Sequence, residues 1–206
     1  MNAYQNFLDF FSIHGLERLD GLSDSYFTAM TLDEKGRAFD YLMARVEQGG
    51  SEESVHALFK VDSRRAVAPI RQLLDAGTLN HEAQIAAAWN LWHIQEDDHL
   101  LAIFIHFLAS PQARLREQAA CYLPVFKFTN TLKAPLKKMI RGETERLARI
   151  HAVDKLLAGY GVSAESVGEE KYLLIYRDLH SEDSAKQEAV FKELDMFEAL
   201  SNLSLP

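Results

Sequence analysis

One helical pattern recurs along the chain, and it limits the possible folds more than any other feature. Residues 32–48, LDEKGRAFDYLMARVEQ, set Leu32, Phe39, Leu42, Met43 and Val46 on one stripe at α-helical spacing. Thr31 and Glu34 stand in capping-box register before this stretch, and Gly49-Gly50 stop it. Comparable units follow at about 53–61, 63–76, 80–94, 98–109, 113–127, 130–141 and 144–158, with further helices near 168–179 and 182–201. The links are short, so neighbouring helices should pack antiparallel. Alternating β-branched runs are few and no Asn-Gly hairpin turn occurs. The expected fold class is all-α.

The units also match one another. A shift of 32 residues carries Ala87, Ala88, Leu91 and Ile94 onto Ala119, Ala120, Leu123 and Phe126. The same shift carries Leu100, Phe104, Phe107 and Leu108 onto Leu132, Leu136, Met139 and Ile140. A shift of 34 relates Val67, Ile70 and Leu74 to Leu101, Phe104 and Leu108, and a shift of 33 relates Ala119 and Leu123 to Ala152 and Leu156. Small residues recur where helices must approach closely, and large ones fill the layer between them. Such a period, held over two helices and their turn, is the mark of a repeat architecture.

The stretch from Val61 to Leu74, VDSRRAVAPIRQLL, resembles the second half of a HEAT-like repeat, with its turn Asp followed by Ala-Val-x-Pro-hydrophobic and paired leucines. His81 to Leu91, HEAQIAAAWNL, resembles the following first helix. Gln84 stands where that family has Arg, whereas Arg116 and Arg149 hold the matching place in the next two units. The resemblance covers about residues 51–160. It implies a right-handed α-solenoid of antiparallel helix pairs with a period of about 32–34 residues. Residues 1–50 and 161–206 would then be N-terminal and C-terminal helical caps of one solenoid domain spanning 1–206.

Composition narrows the functional classes. The chain has 206 residues, 48% hydrophobic and 25% charged, enough for a substantial core. Its net charge of −8 argues against a general nucleic-acid binder. A lone Cys121, in an apolar Ala-Ala-Cys-Tyr-Leu run, excludes an internal disulfide framework and reads as a small buried residue. The start has no basic region before its apolar stretch, and the longest apolar run, 100–109, is about half a membrane span. A cytoplasmic protein without membrane association is expected.

No catalytic set, metal site or cofactor motif stands out. His99 and His106 lie seven residues apart, about 10 Å along a helix, too far to share a metal. Glu96-Asp97-Asp98 reads as the acidic first turn of a helix. Trp89 and Trp92 read as core or layer-edge residues. His93, Asp97 and His99 form the one cluster that could serve an enzyme built on such repeats.

Charge is segregated. Residues 114–155 hold ten basic and four acidic residues, a net +6, while 1–62 and 156–206 each carry −6. The repeat shifts make Arg71, Ile105 and Lys137 equivalent, and likewise Gln72, His106 and Lys138. Second helices line the concave face of HEAT-like arrays, so the resemblance places Arg71, His106, Lys137, Lys138 and Arg141 along one edge of a groove, with Lys133 near it. These six are the expected partner-binding residues.

The function this implies is a non-catalytic module that sequesters or regulates one protein partner, a toxin or effector. Bacterial HEAT-like immunity proteins or antitoxins acting by occlusion are the sharpest form, and an adaptor or assembly chaperone fits the same features. The alternative is a nucleic-acid-binding or DNA-repair protein in which Lys133, Lys137, Lys138, Arg141 and Arg149 contact phosphates. Reversing Lys137, Lys138 and Arg141 to Glu is expected to leave folding nearly intact, as exposed substitutions do.

Overall fold

A computed structural model describes residues 3–12, 22–124 and 130–203. Among these residues the chain is all-helical, with twelve helices: α1 (Ala3–Phe10), α2 (Ser25–Thr28), α3 (Leu32–Glu47), α4 (Glu52–Asp75), α5 (His81–Ile94), α6 (Asp98–Leu108), α7 (Ala113–Tyr122), α8 (Asn130–Gly142), α9 (Arg146–Gly159), α10 (Ala164–Val167), α11 (Glu169–Leu179) and α12 (Ser184–Leu203). None of them is long and apolar enough to cross a membrane. The chain divides into two compact units, residues 1–100 and 101–206.

Local chemistry sets the helix ends. Thr31 and Glu34 form the expected capping box, the Thr31 hydroxyl taking the Glu34 N–H and the Glu34 carboxylate taking the Thr31 N–H at 2.8 Å. Gly49 and Gly50 follow at φ +106° and +68°, a backbone that L side chains rarely adopt. Asp62 breaks α4 at φ −155°, ψ 91°, and its carboxylate takes the Arg65 N–H at 3.0 Å. The two helices expected at 53–61 and 63–76 are thus separated at Asp62, which caps the second of them within the span labelled α4. The helix expected over 113–127 ends at Tyr122, and residues 125–127 of that expectation, with Phe126, lie outside the described residues.

In the first unit, α1, α2 and α3 meet through an aromatic cluster. Phe7 and Phe10 are fully buried, Phe7 lies edge-on to Phe11 and Tyr41, and it touches Phe27. α3 packs on α4, and α4 packs on α5. α5 presents Ala83, Ala86, Ala87 and Ala88, all buried, so its neighbour comes close. In the second unit α7 and α8 both pack on α9, α11 packs on α12, and α12 reaches α8.

Seven of the eight positions aligned at a shift of 32 are core positions in both copies, whereas Val67 and Leu74 of the 34-residue alignment are only half-buried. Ala87, Ala88, Leu91, Leu100, Phe104, Phe107 and Leu108 are buried, and so are their matches at a shift of 32. Ile94 is exposed. A polar clamp repeats at intervals of 32 and 33 residues. Gln84 donates to Leu79 O at 2.8 Å, Arg116 to Ser110 O at 2.9 Å, and Arg149 to Glu143 O at 2.9 Å. Each residue thus holds the loop that precedes its own helix, satisfying a carbonyl that helix geometry leaves open. Gln84 performs the tether with a neutral amide where the other two positions use a guanidinium.

Besides Ile94, two further expectations about burial need correction. Leu32, expected on the apolar stripe of α3, is 90% exposed as the first residue of that helix. Cys121, expected to be buried, is exposed one residue before α7 ends.

Candidate functional site

The basic residues of α8 divide by helical spacing. Lys133, Lys137 and Arg141 recur every four residues and form one stripe, which faces α12. Lys133 Nζ meets the Glu198 carboxylate at 2.5 Å, Lys137 Nζ meets Asp195 at 2.6 Å, and Arg141 Nε meets Glu188 at 2.5 Å. The order of the acids runs opposite to that of the bases, so α8 and α12 are antiparallel. The side chains of Lys133 and Lys137 are only 10% and 12% exposed.

Aromatic rings line this ladder. Lys133 and Lys137 lie 5.2 and 5.5 Å from the Tyr160 ring, and Arg141 lies 4.8 Å from the Phe191 ring. The Tyr160 hydroxyl donates to Asp195 at 2.5 Å. Burial, reinforced by that bond, pushes the Tyr160 hydroxyl far above its ordinary pKa. Burial pulls the Asp195 carboxyl up, but bonds from Lys137 and Tyr160 outweigh it and hold the group below its usual range. The bond to Glu188 raises Arg141, and Arg141 in turn lowers Glu188.

Lys138, next to the stripe, turns elsewhere. It is exposed, and among the described residues it has no ion-pair partner. It stands at the lip of a cleft of about 470 Å³ between α6 and α8, lined by Ile105, Leu108 and Ala109 on one side and by Ala134, Pro135 and Met139 on the other. Arg116 and Glu143 also line it. Arg116 donates to both carboxylate oxygens of Glu143, at 2.6 and 2.8 Å, a fork-to-fork pair. Glu143 also accepts the N–H groups of Thr144 and Glu145 at 3.0 and 2.9 Å. Burial acts to raise the Glu143 pKa, but Arg116 and these amides outweigh it and keep the carboxyl ionised.

The remaining expected residues lie apart from the cleft. Arg71 is in the first unit, where it donates to Asp97 at 2.9 Å. Asp97 also accepts the His99 N–H, and that bond followed by Arg71 lowers its pKa. The acidic run at 96–98 is thus the cap of α6, as its position before the helix suggested. His106 is exposed on α6 with its ring against Phe107. Of the six expected residues, Lys138 alone lines the cleft.

Sequence reasoning missed the partners of the basic stripe. Glu188, Asp195 and Glu198 belong to the acidic segment 156–206, whose −6 equals the +6 of 114–155 in size. The opposite sign of adjoining segments was a usable signal of self-neutralisation, although 1–62 carries the same −6 and the sum alone does not choose between them. It also bears on phosphate binding, because Lys133, Lys137 and Arg141 already meet carboxylates and Arg149 already meets backbone carbonyls. Compared with protein-family models, curated proteins and solved structures, the chain matches none of them.

Proposed function

We propose that the chain is a non-catalytic protein-binding module, built as a HEAT-like array, that takes an anchor segment of one protein partner into the α6–α8 cleft and so sequesters or regulates that partner. An immunity protein or antitoxin acting by occlusion is the sharpest form of this reading. The observation that carries it is the cleft: apolar side chains of α6 and α8, the mutually paired Arg116 and Glu143, and Lys138, which has no ion-pair partner among the described residues. Such a lining suits an apolar anchor side chain next to an acidic one. The tether that recurs at Gln84, Arg116 and Arg149 supports the HEAT-like reading of the repeats.

The test is affinity capture of the tagged chain from its native lysate, with and without nuclease. Ala134→Trp, an exposed position on the cleft, is run in parallel to fill the site. One stoichiometric protein partner that survives nuclease and is lost with Ala134→Trp is expected. Recovery of partners only through nucleic acid, or a partner indifferent to Ala134→Trp, would overturn the proposal.

A further inference from the structure

Two arginines at matching positions of consecutive repeats, Arg116 and Arg149, are neutralised differently. Both hold a loop carbonyl six residues back, at Ser110 and Glu143. Arg116 is then balanced by the Glu143 carboxylate, 27 residues ahead. The position 27 residues ahead of Arg149 is Tyr176, which brings no charge. Arg149 instead donates to two backbone oxygens, Glu143 O and His180 O, the latter at 3.1 Å. Two of its five N–H groups remain, and among the described residues no carboxylate meets it.

A cavity of about 520 Å³ opens at this point, lined by Thr144, Arg146, Arg149, Tyr176, His180 and Glu182, with Ile150 beside them. Arg146 is exposed and has no ion pair among the described residues. His180 places a buried Nε2 here that meets no hydrogen-bonding group among the described residues. The cavity also sits at the start of α9, where Glu145 gives no side-chain cap and no acid occupies the first turn. Arginines at that end of a helix oppose its dipole; Arg149 is held there by its two carbonyls, whereas Arg146 has no ion pair among the described residues to offset that cost. Glu182 lines the cavity too, and the Asp154 carboxylate acts on Tyr176 and His180 from beside it, so the two arginines are offset in part without being met by either acid among the described residues.

We infer that this cavity binds a carboxylate group, which would stand to Arg149 as Glu143 stands to Arg116. The carboxylate would accept the free N–H groups of Arg149 and the guanidinium of Arg146, with the Thr144 hydroxyl and His180 Nε2 as further donors. A small dicarboxylic acid and an acidic side chain of a partner protein both carry this chemistry. The site is separate from the α6–α8 cleft, and its test needs no partner from a lysate.

The test is an NMR titration of the ¹⁵N-labelled full chain at constant ionic strength. The probes are sodium glutarate, the blocked peptide acetyl-Ala-Glu-Ala-amide, and inorganic phosphate. Saturable shifts of the Thr144–Ala148 and His180 amides are expected with glutarate or the peptide. Glutarate at least tenfold tighter marks a free diacid as the ligand, and parity marks a partner side chain. Arg146→Gln, at an exposed position, should weaken binding at least fivefold. Tyr176→Glu, which supplies the carboxylate from within the chain, should abolish it. Absence of saturable shifts with both carboxylate probes, equal binding of phosphate, or an Arg146→Gln variant that binds as well as the parent would overturn the inference.

Discussion

His56 shows what a single side chain contributes beyond its helix. It lies on α4, its Nδ1 is 2.9 Å from the Asn90 amide nitrogen, and its ring stands edge-on to Trp89. Burial lowers its pKa to about 4. The unfolded chain, with His near its ordinary 6.5, therefore binds a proton that the folded chain refuses. Stability from this residue is complete above pH 6.5 and is lost as pH falls toward 4. His180 is also held low, by burial and by Arg149, and contributes in the same direction. Urea unfolding between pH 7 and 5 should thus show stability falling with acid, with a smaller fall in His56→Gln. Equal slopes in the two proteins would show that His56 is not involved. Gly49 is the second case. Its φ is positive, and a Cβ there would come within 2.9 Å of the Asn80 side chain, which bonds Gly50 O. Gly49→Ala is expected to cost more than about 1 kcal/mol, read as a lowered midpoint in the same denaturation experiment.

At the scale of elements, α8 is held on two different terms. Its apolar side buries Leu132, Leu136 and Ile140 completely, while its basic stripe is matched acid for base by α12. Reversing Lys137, Lys138 and Arg141 is therefore not the harmless surface change that the sequence suggested. Lys137→Glu and Arg141→Glu would set carboxylates against Asp195 and Glu188, beside the buried rings of Tyr160 and Phe191. A loss of stability is expected, read as a lowered urea midpoint, since like charges would replace opposite ones along the ladder. Hydrogen exchange should localise the loosening to α12, and adding Asp195→Lys and Glu188→Lys should restore protection. Lys138→Glu alone should leave exchange unchanged. For the repeat helices, Leu91→Ala and Leu123→Ala remove fully buried side chains from matching positions of α5 and the segment after α7. Each should destabilise by about 2–5 kcal/mol, and a small effect at either site would contradict the register.

For the molecule as a whole, net charge conceals its arrangement. The −8 overall is a sum over segments of opposite sign, and in the second unit the opposite segments meet. The cations assigned to phosphate contacts in the nucleic-acid reading are Lys133, Lys137, Lys138, Arg141 and Arg149. Of these, Lys138 alone is unengaged among the described residues. Plain duplex DNA should accordingly show no retention at moderate salt. Fluorescence anisotropy at 50 and 200 mM salt measures this, and a steep loss of tight binding over that interval would revive the phosphate-binding reading.

The helices, the Thr31 cap, the break at Asp62 and the buried positions of the repeat were legible in the sequence, because each depends on near neighbours or on a period along one helix. The tether at Gln84, Arg116 and Arg149 was legible as a recurring position, though not as a bond. The direction of each cation was not. Lys137 and Lys138 are adjacent in the chain and about 100° apart around α8, so one joins an internal ladder and the other borders the cleft. Which face meets an acidic helix depends on Glu188, Asp195 and Glu198, about 50 to 65 residues away. Charge in a sequence states how much is present. Whether it is available to a partner is decided by what folds against it, and here that is α12.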